Sequence, residues 1–198
     1  MRLFITNPSP FARKCRIVVR EKGLEGRVQE VVADPYANDP ILLASNPLAQ
    51  VPSLIAEGVV FNDSPLICDY LDRLGEGPRL IPTDEEGHWR ARRLEVLADG
   101  ALEMGVKWVL EKRRPEHERS NTWIDRWKDG LRRSLDALEA WAPEAEPLDI
   151  GVITTGVCLT WLGFRHPDFN WMSGRPYLTA LQETLEKRPS FVDTYPRV

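Results

Sequence analysis

The pattern of apolar and polar residues changes every ten or so positions in the first third of the chain. Short apolar runs predict strands at 3–5, 28–32, 53–56 and 59–62. Amphipathic spacing predicts helices at 11–22, 38–44 and 64–74. The resulting order, β-α-β-α-β-β-α, predicts a small α/β unit built around a mixed sheet of four strands.

After residue 76 the pattern is helical throughout. Gly and Pro residues mark 77–83 as a linker. Beyond the linker, apolar residues recur three and four positions apart in two long stretches, around 94–108 and 124–138. Residues 150–162 carry no charge and predict a helix that is buried on every side, and 177–187 predicts a last helix. We therefore predict an α/β domain at 1–76 and an all-helical domain at 84–198.

Composition excludes several classes of partner. The 198 residues have a net charge of −4 and contain no basic block, so nucleic acid is not an expected partner. The longest uncharged run, 150–164, is too short to span a bilayer. Charged residues follow the first apolar ones too soon for a signal peptide. A soluble, cytoplasmic protein without a membrane partner is the expectation.

Cysteine and histidine spacing predicts no metal site. Cys15, Cys68 and Cys158 form no C-x-x-C pair, and no Cys/His group has zinc spacing. Each cysteine lies among apolar helical positions, which predicts three buried core residues rather than a disulfide framework. The three histidines lie in polar stretches and are expected to be exposed: His88, His117 and His166.

A Ser-Pro pair occurs at two predicted strand-to-helix joints, Ser9-Pro10 and Ser64-Pro65. Serine is a favoured N-cap and proline a favoured first helical residue, so capping alone accounts for both pairs. Both helix starts are also expected at the same edge of the sheet, where free N–H groups favour anions. The sequence therefore leaves two interpretations open, a pair of caps or a site for a thiolate and a carboxylate.

The pair Val51-Pro52 stands directly before a predicted strand. A cis bond there would turn the chain sharply and leave the Val51 N–H and carbonyl facing solvent, free to pair with an extended peptide. An ordinary trans proline at the start of a strand is the plain alternative.

Three stretches in this order, "SPFARKCR", "NPLAQVPSL" and "FNDSPLICDYL", resemble the glutathione-site motifs of the glutathione transferase superfamily. The resemblance covers the whole chain, since "PLDIGVITTGVCLTWLGFRHPD" is similar to the central buried helix of that superfamily. It implies an N-terminal thioredoxin-like domain with a mixed four-stranded sheet and a C-terminal all-helical domain. It also implies a cytosolic homodimer.

Carried over residue by residue, the resemblance implies a glutathione site. Ser9 stands where thiol-active relatives keep a nucleophilic cysteine, and its hydroxyl would donate to the glutathione sulfur. Pro52 would be cis, and the Val51 backbone would pair with the cysteinyl part. Asp63 would face the ammonium of the γ-glutamyl end and Ser64 its carboxylate, although many relatives have Glu at the position of Asp63.

The implied reaction is conjugation of glutathione, as co-substrate, to small apolar electrophiles without a metal. Phe11, Met104 and Trp108 are candidates for the wall that receives the electrophile, while Met104 and Trp108 fit equally well as core residues. Two alternatives stay open on the same fold: a glutathione-dependent thiol–disulfide or peroxide reductase, and a binding or regulatory protein without activity.

Overall fold

The computed structural model describes residues 1–197. The chain divides into two compact units, one formed by Met1–Thr83 with the C-terminal segment from Arg188, and one formed by Asp84–Lys187. The first unit begins with β1 (Arg2–Ile5), α1 (Pro10–Glu21), β2 (Gln29–Val32), α2 (Pro40–Ser45), β3 (Ser53–Ala56), β4 (Val59–Asn62) and α3 (Ser64–Leu74). The second unit contains α4 (Glu85–Arg113), a 3₁₀ turn (Glu116–Glu118), α5 (Asn121–Trp141), α6 (Ile150–Arg165) and α7 (Pro176–Leu185). Helix α8 (Pro189–Asp193) follows in the C-terminal segment.

The sheet of the first unit has four strands in the order β2-β1-β3-β4. Strand β1 pairs in parallel with β2, and β3 is antiparallel to both β1 and β4. Phe4 lies opposite Ser53, and Ser53 lies opposite Asn62. The end of β1, the start of β3 and the end of β4 therefore share one edge. The predicted fold, a mixed four-stranded sheet followed by a helical region, is confirmed.

A buried ion pair and its hydrogen bonds hold residues 77–81, which follow α3, in place. The Lys22 Nζ lies 3.3 Å from Asp72 Oδ1, and both side chains are 1% exposed. Lys22 also donates to the carbonyls of Gly77 and Pro78. Burial raises the pKa of Asp72, but hydrogen bonds from Leu80, Arg79 and Ile81 outweigh it and hold that pKa below its ordinary value. These bonds order the segment that the sequence predicts as a linker.

The C-terminal segment from Arg188 groups with the first unit, whereas the sequence predicts one helical domain over 84–198. Arg188 forms an ion pair with Glu21 near the end of α1, at 2.9 Å. Arg13, also on α1, donates to the Phe191 carbonyl at 3.1 Å. Both contacts join residues far apart in sequence, and local periodicity carries no information about such pairs. The predicted helix at 177–187 ends earlier, as α7, and the chain then crosses to α1.

The second unit is built around α6. Every residue from Ile150 to Leu162 is buried, as the absence of charge predicts. The hydroxyls of Thr154, Thr155 and Thr160 donate to carbonyls four residues earlier, which satisfies them inside the apolar core. No helix among the described residues is long and apolar enough to cross a membrane.

His166, just after α6, is 1% exposed, so the expectation of an exposed histidine is wrong at this position. Its ring stacks on the Trp108 ring, with centroids 3.8 Å apart, and its Nε2 lies 3.0 Å from the Gly105 carbonyl. Because a carbonyl can only accept, Nε2 carries the proton of the neutral ring. The residues next to His166 in sequence are polar, so they give no indication of this contact with an aromatic residue of the distant helix α4.

Candidate functional site

The shared edge of the sheet brings together the three segments that the sequence singles out. Ser9 follows β1, Val51 and Pro52 precede β3, and Asp63 with Ser64 follows β4. The pairing of Phe4 with Ser53 and of Ser53 with Asn62 places these joints side by side. Residues separated by more than fifty positions therefore form one candidate site in the first unit.

Ser9 is the N-cap of α1. Its Oγ accepts a hydrogen bond from the Ala12 N–H at 3.2 Å, and Pro10 begins the helix. Accepting this bond uses a lone pair and leaves the hydroxyl proton available. Within the described chain, the Ser9 hydroxyl donates to no group, and the Phe11 N–H in the first turn has no partner either. Capping and donation to a thiolate are thus compatible.

The Val51–Pro52 bond is cis. Neither the N–H nor the carbonyl of Val51 makes a hydrogen bond with any described residue, so both are available to a ligand backbone. Asn46 shapes the approach to this position, because its side chain donates to the Gln50 carbonyl at 2.9 Å and accepts from the Leu48 N–H at 3.0 Å. Sequence reasoning missed Asn46, for which the Asn-Pro turn signal was the clue.

Asp63, the N-cap of α3, has a backbone conformation that residues other than glycine rarely adopt. Its φ is 73°, and its Oδ1 accepts from the Ser64 N–H at 2.8 Å. Ala49, on the chain that leads to Val51, also has a positive φ, of 53°. Such backbone strain costs on the order of 1–3 kcal/mol per residue and is concentrated at functional sites. Asp63 is exposed and forms no ion pair with a described residue, so its carboxylate can receive a ligand cation.

Ser64 lies inside α3 rather than at its cap. It is 1% exposed, and its Oγ has no hydrogen-bond partner in the described structure. The sequence interpretation of Ser64 as an N-cap is therefore wrong, because Asp63 takes that role. An unsatisfied hydroxyl in the first turn of a helix lies where free N–H groups and the helix dipole favour an anion. A carboxylate bound there would satisfy it.

The candidates for the electrophile wall lie in different surroundings. Phe11 is half-buried in α1, directly after the Ser9 cap. Met104 is half-buried in α4, with its sulfur against Gly130 of α5. Trp108 is 5% exposed and stacked on His166 in the helical unit. Contact of any of the three with an electrophile stays a prediction.

The three cysteines are buried and form no disulfide with any described residue, and two of them are neighbours. Cys15 Sγ lies 3.7 Å from Cys68 Sγ and 3.9 Å from the Ser64 carbonyl, which packs α1 against the start of α3. Burial raises the pKa of the Cys158 thiol. Among the described residues, no group of three or more His, Cys, Asp or Glu could hold a metal ion.

Comparison with known proteins identifies the family that the chain resembles. A family model described as the N-terminal domain of glutathione S-transferase matches residues 8–74. Over 202 residues the chain is 33% identical to the "Uncharacterized GST-like protein YibF" of Escherichia coli strain K12, covering 99% of this chain and 98% of that protein.

Solved structures are similar over their full length. A glutathione transferase family member from Pseudomonas fluorescens Pf-5 with bound glutathione is 36% identical with a TM-score of 0.95, and the match covers 100% of this chain and 99% of the other. A second structure of a glutathione transferase family member from that organism, with bound S-(propanoic acid)-glutathione, is 35% identical with a TM-score of 0.89, and both chains are covered to 100%.

Proposed function

Because this chain belongs to the glutathione transferase superfamily, we propose that it binds glutathione, stabilises the thiolate with Ser9 and conjugates the sulfur to small apolar electrophiles. One observation carries the proposal. A free hydroxyl proton at Ser9, an unpaired backbone at Val51 and an unsatisfied hydroxyl at Ser64 all lie at one edge of the sheet.

Each part of glutathione has a matching group at this edge. The α-carboxylate of the γ-glutamyl end suits the start of α3, where the Ser64 hydroxyl lacks a partner. The ammonium suits the exposed Asp63 carboxylate, and the cysteinyl backbone suits the N–H and carbonyl of Val51. This assignment places the sulfur at the start of α1, beside Ser9.

The chemical contribution of Ser9 follows from thiol acidity. A free thiol has a pKa near 8.5, so about a few per cent is thiolate at neutral pH. A hydrogen bond from Ser9 and the positive end of α1 favour the charged form and lower the thiol pKa. The Phe11 N–H is a second donor in the same turn. Binding then holds the thiolate near the electrophile and removes the entropic cost of their encounter.

The relatives suggest a class of electrophile to include. Bound S-(propanoic acid)-glutathione in one similar structure joins the glutathione sulfur to a three-carbon acid. Small unsaturated acids therefore belong in the test panel beside apolar halides and epoxides. Phe11 is the candidate wall residue in the first unit, and Met104 with Trp108 in the second. Detoxification of such compounds in the cytoplasm is the corresponding physiological role.

The test is calorimetry of glutathione binding followed by a panel of electrophiles, with disulfides and peroxides included. Saturable binding with conjugate formation supports the proposal. Glutathione oxidation on disulfides or peroxides without conjugation would favour the reductase alternative, although Ser9 supplies no nucleophilic thiol of its own. Binding without turnover would indicate a binding protein, and absence of binding would contradict the proposal.

We also propose a homodimer, because each unit leaves an apolar surface in water. Val59, Val60 and Leu66 are exposed in the first unit. In the second, exposed Trp89, Val96 and Trp141 line a groove of about 420 Å³ between α4 and α5. Burial of such patches favours association. Analytical ultracentrifugation of the wild type and Val96→Glu tests this, with a shift of the variant towards monomer expected.

A further inference from the structure

The distribution of charge around the candidate site is one-sided. The segment from residue 28 to residue 72 contains no Lys, Arg or His. It contains seven carboxylates, at Glu30, Asp34, Asp39, Glu57, Asp63, Asp69 and Asp72. The same segment supplies Val51, Asp63 and Ser64, and so most of the proposed glutathione contacts. The segment therefore offers a ligand carboxylates but no cation.

Four cations near the segment are engaged with carboxylates, and Arg27, directly before it, donates to the Leu74 carbonyl instead. Arg16 and Arg20 both pair with Glu30 at 2.8 Å. Lys22 is buried against Asp72, and Arg73 pairs with Asp69. Four carboxylates of the segment form no ion pair with any described residue: Asp34, Asp39, Glu57 and Asp63. The charges of the segment that form no ion pair are therefore all negative, which suits a ligand cation and disfavours an additional ligand carboxylate.

Glutathione carries two carboxylates, at its γ-glutamyl and glycyl ends. The first has a place at the start of α3, beside the unsatisfied Ser64 hydroxyl. A ligand held there by one end and at Val51 by its middle directs its glycyl end away from Ser64, towards the chain that leads into Val51. That chain, residues 34–50, offers carboxylates at Asp34 and Asp39 and the uncharged, exposed side chain of Gln50.

We propose that this protein does not recognise the glycyl carboxylate as a charge. It binds γ-glutamylcysteinyl thiols whose glycyl end is uncharged as tightly as glutathione itself. Asp63, Ser64 and the Val51 backbone supply the recognition, and Gln50 offers at most a neutral hydrogen bond. The inference rests on the proposed function and narrows it to a class of thiol co-substrates that includes glycyl amides.

A charge series at the glycyl end tests the inference directly. Calorimetry at low salt, where charge effects are least screened, compares three ligands: glutathione, its glycyl amide, and its aminoethyl amide. Their glycyl ends carry a negative charge, no charge and a positive charge. We expect the Kd of the amide to lie within about fivefold of that of glutathione, the scale of an exposed charge pair. The aminoethyl amide should bind at least as tightly as the amide.

The outcomes separate this inference from the function on which it rests. If none of the three ligands binds, the proposed function fails. If glutathione binds but the amide is weaker by about tenfold or more, the scale of a hydrogen bond to a charged group, a cation outside residues 28–72 holds the carboxylate. That result overturns the inference and leaves glutathione binding intact.

A gain-of-function variant tests where the glycyl end lies. Gln50→Lys places a cation directly before Val51, and we expect it to tighten glutathione by about two- to fivefold without tightening the amide. Gln29→Lys, an equal charge change at an exposed position on β2, is the matched control and should leave both affinities unchanged. Absence of a selective gain in Gln50→Lys overturns the placement of the glycyl end beside Gln50.

Discussion

The two Ser-Pro joints look alike in sequence but differ by one position in helix register. Ser9 is the residue before α1, half-exposed, and its hydroxyl already accepts the Ala12 N–H. Ser64 is the first residue of α3, buried, and its hydroxyl has no partner in the described structure. Asp63 takes the capping position at the second joint, at the cost of a positive φ.

Because of this difference in register, the two serines contribute differently to stability and to ligand binding. Ser9 contributes to the stability of the free protein and can also donate its proton to a thiolate. The Ser64 hydroxyl contributes little to the stability of the free protein, and it can donate a hydrogen bond to a ligand anion. Asp63 combines a cap with an unpaired charge. Substitutions at the three residues should therefore separate turnover, stability and affinity.

Asp63→Asn should have the largest effect. Asn keeps the cap and tolerates a positive φ, so mainly the charge is lost. The Kd for glutathione should rise by roughly 10- to 100-fold, since hydrogen bonds to charged groups contribute about 1.5–3 kcal/mol. Calorimetry measures this. Asp84→Ala, which removes the cap of α4, is the control and should leave affinity unchanged. An unaltered Kd in folded Asp63→Asn would exclude Asp63 as the ammonium partner.

Ser9→Ala should act mainly on turnover. Loss of the donor should raise the pKa of bound glutathione by about one unit, which lowers conjugation about tenfold at neutral pH and less at alkaline pH. The lost cap should lower the free energy of unfolding by about 1 kcal/mol. Ser120→Ala, which removes the serine cap of α5, should lose stability alone.

The pH profile of conjugation decides whether Ser9 is catalytic. Equal midpoints and equal maximal rates in the wild type and Ser9→Ala would show that Ser9 is a cap alone. Stabilisation of the thiolate would then fall to the Phe11 N–H. Ser9→Cys adds a further measurement, because a cysteine at a helix start should favour disulfide exchange over conjugation.

Ser64→Ala should weaken glutathione binding by about tenfold, the lower end of the range for a hydrogen bond to a charged group, because the N–H groups at the start of α3 still stabilise the ligand carboxylate. Unlike Ser9→Ala, it should not lower the free energy of unfolding, because the hydroxyl it removes is unsatisfied in the free protein. Urea denaturation and calorimetry on the same preparation test both halves. A loss of about 1 kcal/mol in stability, the value of a helix cap, would contradict the contrast between the two serines.

The effect that is smallest at neutral pH comes from His166, and it limits the pH range in which these comparisons are valid. Burial lowers the pKa of His166 to about 4, and the nearby charges of Lys112, Arg165 and Lys128 act in the same direction against the hydrogen bond to the Gly105 carbonyl. In the unfolded chain the pKa is about 6.5. Between these values the unfolded state binds more protons, so stability falls as pH is lowered.

The size of this stability change determines the pH range in which the assays can be compared. Above pH 6.5 the stability change is less than about 0.5 kcal/mol, and below pH 4 it reaches about 3 kcal/mol. Urea denaturation from pH 8 to pH 5 measures it. His166→Gln should flatten the dependence in this range, and an equal slope in variant and wild type would assign the acid sensitivity to other groups.

Much of the first unit could be predicted from the sequence because its signals are local. Strands β1, β3 and β4 follow short apolar runs, and the three joints of the site carry Ser-Pro or Val-Pro pairs. The sequence does not determine the position of the α3 N-cap to within one residue. Ser64 and Asp63 both suit a helix cap, and the choice between them depends on how β4 enters the turn.

The remaining differences involve partners that are distant along the chain. The contact of His166 with Gly105, the ion pair of Lys22 with Asp72, and the ion pair of Arg188 with Glu21 join residues that no local pattern links. The Asn46 bonds are local, but an Asn-Pro pair predicts a turn without specifying which groups its amide will bond.

The return of the C-terminal segment to α1 bears on the order in which the protein is made. Arg13 and Glu21 of α1 leave the ribosome before the helical unit, yet their partners in the segment from Arg188 to Thr194 are translated after it. Domains generally fold in the order of synthesis. Here the helical unit is an insertion between the two parts of the first unit, so the first unit can be completed only after the helical unit has been synthesised.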